Sequence, residues 1–203
     1  MTAIIDYRAG NLTSVRNAFA AIGAETTVTS DPVVVASADR VVFPGVGAAK
    51  SAMHSLTELG LVEAVRAAAA SKPFLGICLG MQILFSHTEE DGGVDLLGIL
   101  PGMVRRFPSV PGCKVPEMGW NQVRGSDPQG MLPSMDEFYF VHSYYVEMNP
   151  CVVGRTEYAG VEFASAVRRG ELFATQFHPE KSGDAGLDLL RSFMGLPKGW
   201  RKC

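Results

Sequence analysis

Hydrophobic positions in the first half of the chain alternate between short continuous runs and helically spaced ones. Runs at residues 2–6, 40–43 and 72–77 have the length and apolar character of buried strands. Between the first two runs, apolar side chains follow helical spacing at Leu12, Val15, Phe19 and Ile22. Asn11 is placed to cap this helix, and Gly23 is placed to end it. This alternation predicts a parallel sheet covered by helices.

The connecting segments of this half also have distinct patterns. Residues 25–29 predict a short strand, and Asp31-Pro32 predicts a loop after it. The turn Pro44-Gly45-Val46-Gly47 ends the second buried run. From that turn to about Ala70 the pattern is helical, with a break expected near Gly60.

In the second half, short strands separated by Gly and Pro turns dominate. They are predicted at residues 103–107, 119–123, 138–141, 162–167 and 172–177. A last helix over residues 184–194 places Leu187, Leu190 and Phe193 on one face. The later strands are expected to extend the sheet in antiparallel hairpins. The prediction is one α/β domain over residues 1–203, with a mostly parallel central sheet, flanking helices and added antiparallel strands.

Composition narrows the kinds of partner. The chain has 203 residues, 47% of them apolar, and a net charge of −3 from 18 Lys and Arg against 21 Asp and Glu. No long basic run is present, so we expect no nucleic-acid or membrane partner. The longest mainly apolar stretch, residues 61–70, is interrupted by Glu63 and Arg66 and cannot span a bilayer.

Cysteine usage and the N-terminus suggest a compartment. The four cysteines have no CxxC spacing and no disulfide-framework pattern. Residues 1–5 lead directly into an apolar strand, without the pattern of a signal peptide. We therefore expect a reducing cytoplasm.

Cys78 lies in the segment Gly76-Ile77-Cys78-Leu79-Gly80, between an apolar strand and a predicted helix that includes Met81, Leu84 and Phe85. This GxCxG pattern is the thiol counterpart of the nucleophile elbow, whose strained turn requires glycines two positions to either side. The start of a helix would favour a thiolate, and the Leu79 N–H would face a developing oxyanion. The alternative is a buried structural cysteine, a common fate of free Cys.

His178 is the candidate base. Pro179 favours extended backbone at His178, so that His178 and Glu180 would project to the same side and could touch. The order Cys78, His178, Glu180 then fits nucleophile, base and orienting carboxylate. A surface His–Glu pair is the commoner alternative.

The other three histidines are weaker candidates for the base. His142 is the second candidate base, with a structural role at a strand end as its alternative, and His54 and His87 are expected at the surface. No histidines have zinc-ligand spacing, so we expect no metal site.

Two segments, Gly76-Ile77-Cys78-Leu79-Gly80-Met81-Gln82 and His178-Pro179-Glu180, resemble the signatures of class I glutamine amidotransferases. Finer motifs resemble the glutaminase subunits of imidazole glycerol phosphate synthases. These motifs are Ile5-Asp6-Tyr7, Gly10-Asn11, Pro44-Gly45-Val46-Gly47, Met118-Gly119-Trp120-Asn121, Phe140-Val141-His142-Ser143-Tyr144 and Gln176-Phe177-His178-Pro179-Glu180-Lys181-Ser182. Glu117, where His or a neutral residue is expected, and Ala174, where Gly is commoner, depart from the pattern.

The resemblance implies a flavodoxin-like fold and hydrolysis of L-glutamine to glutamate and ammonia, without a cofactor. The ammonia would pass to a cyclase subunit, a (β/α)₈ barrel, that makes imidazole glycerol phosphate and an aminoimidazole carboxamide ribotide in histidine biosynthesis. By motif position, each further residue would have one of three roles. Gln82, Glu90, Ser143 and Tyr144 would hold the amino-acid end of glutamine; Val46 and Gly47, with Leu79, would serve the oxyanion after a backbone rearrangement; Asn11, Met118, Trp120 and Asn121 would lie near the cyclase.

Three alternatives remain open at this point. The chain could be another amidotransferase, such as the glutaminase of pyridoxal phosphate or anthranilate synthesis, although Met118-Gly119-Trp120-Asn121 argues against both. It could be a non-catalytic subunit that keeps the fold for binding. It could also be a cysteine peptidase-like hydrolase of similar topology.

Overall fold

The structure of the chain, a computed structural model, describes residues 1–9 and 11–196. Its strands are β1 (Thr2–Ile5), β2 (Thr26–Thr29), β3 (Arg40–Gly45), β4 (Phe74–Cys78), β5 (His87–Thr88), β6 (Val94–Asp95), β7 (Met103–Arg106), β8 (Glu117–Gly125), β9 (Met135–His142), β10 (Tyr144–Val146), β11 (Val152–Tyr158), β12 (Val161–Arg169) and β13 (Leu172–Thr175). Its α-helices are α1 (Leu12–Ala21), α2 (Pro32–Ser37), α3 (Ala49–Glu58), α4 (Val62–Ser71), α5 (Leu79–Gln82) and α6 (Gly183–Met194). Gly10 and Cys203 lie outside the described residues.

One mixed sheet joins the described strands in the order β2-β1-β3-β4-β13-β12-β10-β7-β5-β6, and β11, β8 and β9 branch from β12. The pairs from β2 to β13 are parallel. Beyond β13 the pairs are antiparallel, except that β5 runs parallel to β7. The predicted parallel sheet with added antiparallel strands is confirmed.

Each face of the parallel strands is buried by a different set of helices. On one face, α2, α3 and α4 pack against side chains such as Phe43 and Phe74. On the other, α1 and α6 pack against side chains such as Val42 and Leu75. Because neighbouring strand residues point to opposite faces, the strands β1, β3, β4 and β13 are mostly apolar, as expected for a sheet covered on both sides, whereas the edge strand β2 is mostly threonine.

Most of the predicted elements are confirmed, with the expected ends. The Asn11 side chain caps α1 by accepting the Ser14 N–H at 3.4 Å, and helical structure breaks at Gly60 between α3 and α4. The loop predicted after Asp31 is wrong. Asp31 instead accepts the Val33 N–H at 2.8 Å and caps α2, with Pro32 in its first turn.

Candidate active site

Cys78 is the last residue of β4 and lies on a tight turn. Its backbone has φ 54° and ψ −110°, a conformation that is strained for any residue with a side chain. A Cβ on Gly80 would lie 1.8 Å from the Phe43 carbonyl oxygen, and one on Gly76 would lie 2.9 Å from the Ala174 Cβ. The predicted need for glycine at both positions is therefore confirmed.

The helix that follows Cys78 is much shorter than the sequence suggested. The structure ends α5 at Gln82, after four residues, and Leu84 and Phe85 are buried in tight turns beyond it. The predicted helix through Phe85 is wrong. The apolar side chains of this segment are all buried, so their spacing in the sequence resembles one face of a helix although the segment is not helical. One turn has too few aligned peptides for a substantial dipole, so other groups must stabilise a thiolate at Cys78.

His178 and Glu180 form a buried pair beside the thiol. His178 Nδ1 lies 2.8 Å from Glu180 Oε1, and both side chains are 1% exposed. Their contact is confirmed, but the expected extended backbone is wrong after His178, because Pro179–Lys181 form a 3-10 turn. Burial alone would lower the pKa of His178, but Cys78 and the Glu180 carboxylate outweigh it and raise the pKa to about 10.

The sulfur of Cys78 has two further polar neighbours. The Val141 carbonyl oxygen lies 3.9 Å from it, within reach of a thiol proton. Gln176 Nε2 lies 3.7 Å from it and donates to it. Nearby, the buried Tyr7 hydroxyl has no hydrogen-bond partner among the described residues, and burial together with Cys78 raises the pKa of Tyr7 well above its usual value.

A cavity of about 350 Å³ opens over Cys78. Its lining includes all seven residues that were assigned to the oxyanion or to glutamine: Val46, Gly47, Leu79, Gln82, Glu90, Ser143 and Tyr144. Three other lining residues were not singled out for this role: Pro116, Val141 and His142. The residues therefore converge on one cavity, while their individual roles stay predictions.

Two of these lining residues have one of their two polar side-chain atoms already engaged. Gln82 Nε2 donates to the Tyr144 carbonyl at 2.8 Å and to Gln176 Oε1 at 2.9 Å. Glu90 Oε2 accepts the Ala49 N–H at 2.7 Å, at the start of α3. Burial raises the pKa of Glu90 despite this hydrogen bond. What each side chain can still offer a ligand is an oxygen acceptor.

The segment assigned to the oxyanion follows β3. Gly45 pairs with Cys78 across the sheet, so the residues just after it border Cys78. Gly47 has φ +98°, and a Cβ there would meet nothing within 4 Å. Backbone conformation rather than space therefore favours glycine at this position, which suits a peptide that must rotate.

The four residues predicted near the cyclase divide into two groups. Met118 and Trp120 are large apolar side chains left 65% and 55% exposed on β8. Asn121 instead donates to Glu117 Oε1 at 2.8 Å and to the Glu157 carbonyl at 3.1 Å, and Asn11 caps α1. A common place for all four at an interface stays a prediction.

His142 belongs to a second buried pair, which sequence reasoning missed. Its Nε2 lies 3.0 Å from Glu117 Oε2, and its Nδ1 lies 2.8 Å from the Tyr144 carbonyl oxygen. Glu117 and His142 are 3% and 6% exposed and face each other across the β8–β9 ladder. The unexpected Glu117 thus points into the protein rather than toward a partner.

The described residues contain no cluster of three His, Cys, Asp or Glu side chains able to hold a metal ion. Among residues 1–9 and 11–196, no helix has the length and apolarity needed to cross a membrane.

Comparison with known proteins identifies the class first. The model of the class-I glutamine amidotransferase family matches residues 3–195. The chain therefore belongs to this family and is a glutamine amidotransferase. A solved glutamine amidotransferase structure superposes with a TM-score of 0.74, covering 95% of this chain and 97% of that one at 19% identity, which supports the fold.

Curated relatives then give the branch of the family. Imidazole glycerol phosphate synthase subunit HisH from Acinetobacter baylyi is 48% identical over 95% of this chain and 96% of that protein. The HisH subunit from Methanothermobacter thermautotrophicus is 54% identical over 97% of this chain and 98% of that protein. At such identity over nearly the full length of both, the chain belongs with the HisH subunits.

Proposed function

We propose that this chain is the glutaminase subunit of an imidazole glycerol phosphate synthase, with Cys78 as nucleophile, His178 as proton carrier and Glu180 as its orienting group. One observation supports this most strongly. A cysteine on a strained elbow faces a cavity, and a buried His–Glu pair lies beside its sulfur. This is the geometry of nucleophile, base and orienting group.

The chemistry proceeds in two steps. The Cys78 thiolate attacks the side-chain amide carbon of glutamine, and when the C–N bond breaks, the nitrogen leaves as ammonia with a proton from His178 Nε2. The thioester that remains is attacked by water, which gives its proton to His178. The C–S bond then breaks, glutamate leaves, and the thiolate is restored. Glu180 holds Nδ1, so that Nε2 faces the sulfur.

The cavity also suits the rest of glutamine. The remaining oxygens of Gln82 and Glu90 are acceptors, the chemistry that an α-ammonium group requires. Ser143 and Tyr144 also line this cavity, where they would hold the α-carboxylate. The free N–H of Leu79, with Val46 or Gly47 after a peptide rotation, would stabilise the oxyanion.

A cyclase subunit is the proposed partner, as the name of the relatives and the resemblance imply. Met118 and Trp120 supply an exposed apolar surface, and large aromatic side chains are enriched in protein interfaces. Tyr139, whose ring contacts Trp120, accepts the His178 N–H through its carbonyl at 2.9 Å. Tyr139 alone would therefore separate a partner on this surface from His178, the proposed base.

The test is glutamate release from glutamine by the purified chain, alone and with a cyclase subunit loaded with its nucleotide substrate. Strong release is expected in the loaded complex, weak release from the isolated chain, and none from a complex containing Cys78→Ala. His54→Asn, a change at a histidine that is 73% exposed, is a control expected to match wild type.

Each contrary result removes a different part of the proposal. No release in any mixture would sink the glutaminase chemistry. Equal release with and without the cyclase would remove the activation by the partner. Full activity in Cys78→Ala would remove the assignment of the nucleophile.

We also propose a reducing cytoplasm as the compartment. Cys78, Cys113 and Cys151 are free thiols, and free thiols persist where glutathione keeps them reduced.

A further inference from the structure

We infer that Gln176 stabilises the thiolate of Cys78, and that the Tyr144 carbonyl sets the direction of the Gln176 amide through Gln82. The inference deepens the proposed function, because it rests on Cys78 being the nucleophile. It adds a donor to the reacting sulfur and a residue, Gln82, that positions this donor.

A continuous run of hydrogen bonds connects the three residues to the sulfur. Gln82 Nε2 donates to the Tyr144 carbonyl at 2.8 Å and to Gln176 Oε1 at 2.9 Å. Gln176 Nε2 then donates to Cys78 Sγ at 3.7 Å. Gln176 is fully buried and Gln82 is 6% exposed, so water does not compete freely for these groups.

The direction of this run follows from one group. A backbone carbonyl can only accept, so Gln82 must turn its NH₂ group toward Tyr144. The second N–H of that group then requires an acceptor, and Gln176 must present its oxygen. The nitrogen of Gln176 is consequently left facing the sulfur. Reversing either amide would set oxygen against oxygen or leave a buried N–H without a partner.

The sulfur needs such a donor because its helix is short. With only four residues in α5, the helix dipole offers little to a thiolate. Hydrogen bonds to charged groups are stronger than those between neutral groups, so an N–H aimed at sulfur favours the ionised form. The other groups that act on Cys78 are His178, Tyr7 and the Val141 carbonyl, and substitutions at residues 82 and 176 leave all three groups in the chain.

The experiment measures the rate at which iodoacetamide alkylates Cys78 as a function of pH, in the full-length chain. Mass spectrometry of the Cys78 peptide separates this site from Cys113 and Cys151. Gln176→Met keeps the length of the side chain and removes the donor. We expect alkylation near neutral pH to slow by about tenfold, because a hydrogen bond to the charged form of the sulfur is lost.

Two features of the result separate a loss of thiolate from a loss of structure. At a pH where the thiol is fully ionised, Gln176→Met should react at the wild-type rate, which altered access to the sulfur would not allow. Gln129→Met makes the same change at an exposed loop position and should follow wild type throughout.

Gln82→Met tests whether Gln82 orients the Gln176 amide. It also provides a test if Gln176→Met does not fold. It leaves the neighbour of the sulfur in place but frees the Gln176 amide to rotate, so a smaller slowing of about threefold is expected. In the double variant, Gln82→Met should add nothing to Gln176→Met, because the donor that it orients is already gone.

Two outcomes would overturn the inference: an unchanged pH profile in Gln176→Met, or fully additive effects of the two substitutions. Alkylation requires no glutamine, so this result is independent of the glutamate-release assay. A shifted alkylation profile with no glutamine hydrolysis would leave the donor standing while the proposed function failed.

Discussion

Two buried His–Glu pairs lie close to the same cavity, and they differ in what their imidazoles leave free. In the pair His178–Glu180, the carboxylate contacts Nδ1, and Nε2 has no hydrogen-bond partner among the described residues. In the pair His142–Glu117, Nδ1 faces the Tyr144 carbonyl and Nε2 lies 3.0 Å from the carboxylate, within ion-pair distance although not aligned as a hydrogen bond.

This difference supports His178, rather than His142, as the proposed proton carrier. A general base needs one ring nitrogen that is held and one that is open to the reacting group. His178 meets both conditions beside Cys78, whereas both nitrogens of His142 face acceptors. Burial and a carboxylate neighbour, which the pairs share, therefore do not identify a base. The group that Nε2 faces distinguishes the two: it is Cys78 for His178 and the Glu117 carboxyl group for His142, which supports the proposed role of His178.

Replacing His178 tests the difference between the two pairs most directly. His178→Asn removes the proton carrier, and we expect kcat for glutamine hydrolysis in the loaded complex to fall by about a thousandfold or more. His54→Asn, at an exposed histidine, is the matched control. If His142→Asn lost more activity than His178→Asn at equal folded fraction, the two assignments would have to be exchanged.

The second prediction concerns stability. His142→Asn removes the side chain that faces the buried Glu117 carboxyl group, so the free energy of unfolding should fall by about 3 kcal/mol. Urea denaturation measures it, with His54→Asn expected within about 0.5 kcal/mol of wild type. In a double-mutant cycle, Glu117→Gln should restore part of the loss. A fully additive cycle would show that the two side chains do not interact.

The third prediction uses pH to test the other pair. Cys78 and, after it, the Glu180 carboxylate raise the pKa of His178 to about 10, so His178 keeps its proton up to about that pH. In Glu180→Gln that pKa falls, so the alkaline decline of kcat/KM should begin at lower pH, with a loss near neutral pH of about tenfold to a hundredfold. Glu63→Gln, at a glutamate whose side chain is 81% exposed, is the control. An alkaline limb at the wild-type pH would contradict the role of Glu180.

Sequence patterns predicted this site best where its parts are local. The GxCxG elbow places both glycines within two residues of Cys78, and His178 touches a carboxylate two residues away, so short-range sterics were sufficient. His178 and Glu180 are in contact even though the backbone after His178 is a 3-10 turn rather than a strand. A pair that is close in sequence can meet through more than one local conformation.

The parts that were missed depend on distant pairing. Glu117 and His142 meet only through the register of β8 with β9, and Gln82 meets Gln176 across 94 residues. The spacing of apolar and polar residues along the sequence does not indicate contacts between such distant positions. The helix α2 is a different case, because Asp31 and Pro32 supplied its cap and first turn, and these same residues also favour loops.

The smallest predicted effect tests how the Glu117–His142 pair is held. Asn121 Nδ2 donates to Glu117 Oε1 at 2.8 Å, so this amide fixes the carboxylate that faces His142. Asn121→Ala should lower the free energy of unfolding by about 1 kcal/mol, less than His142→Asn, because it removes one hydrogen bond but leaves the imidazole against the carboxyl group. Gln122→Ala, at the adjacent exposed position, should stay within about 0.5 kcal/mol of wild type in the same urea denaturation. If the two alanine variants were equally stable, the Asn121 amide would not contribute to holding Glu117. The strand register and His142 would then be sufficient to hold the Glu117 side chain.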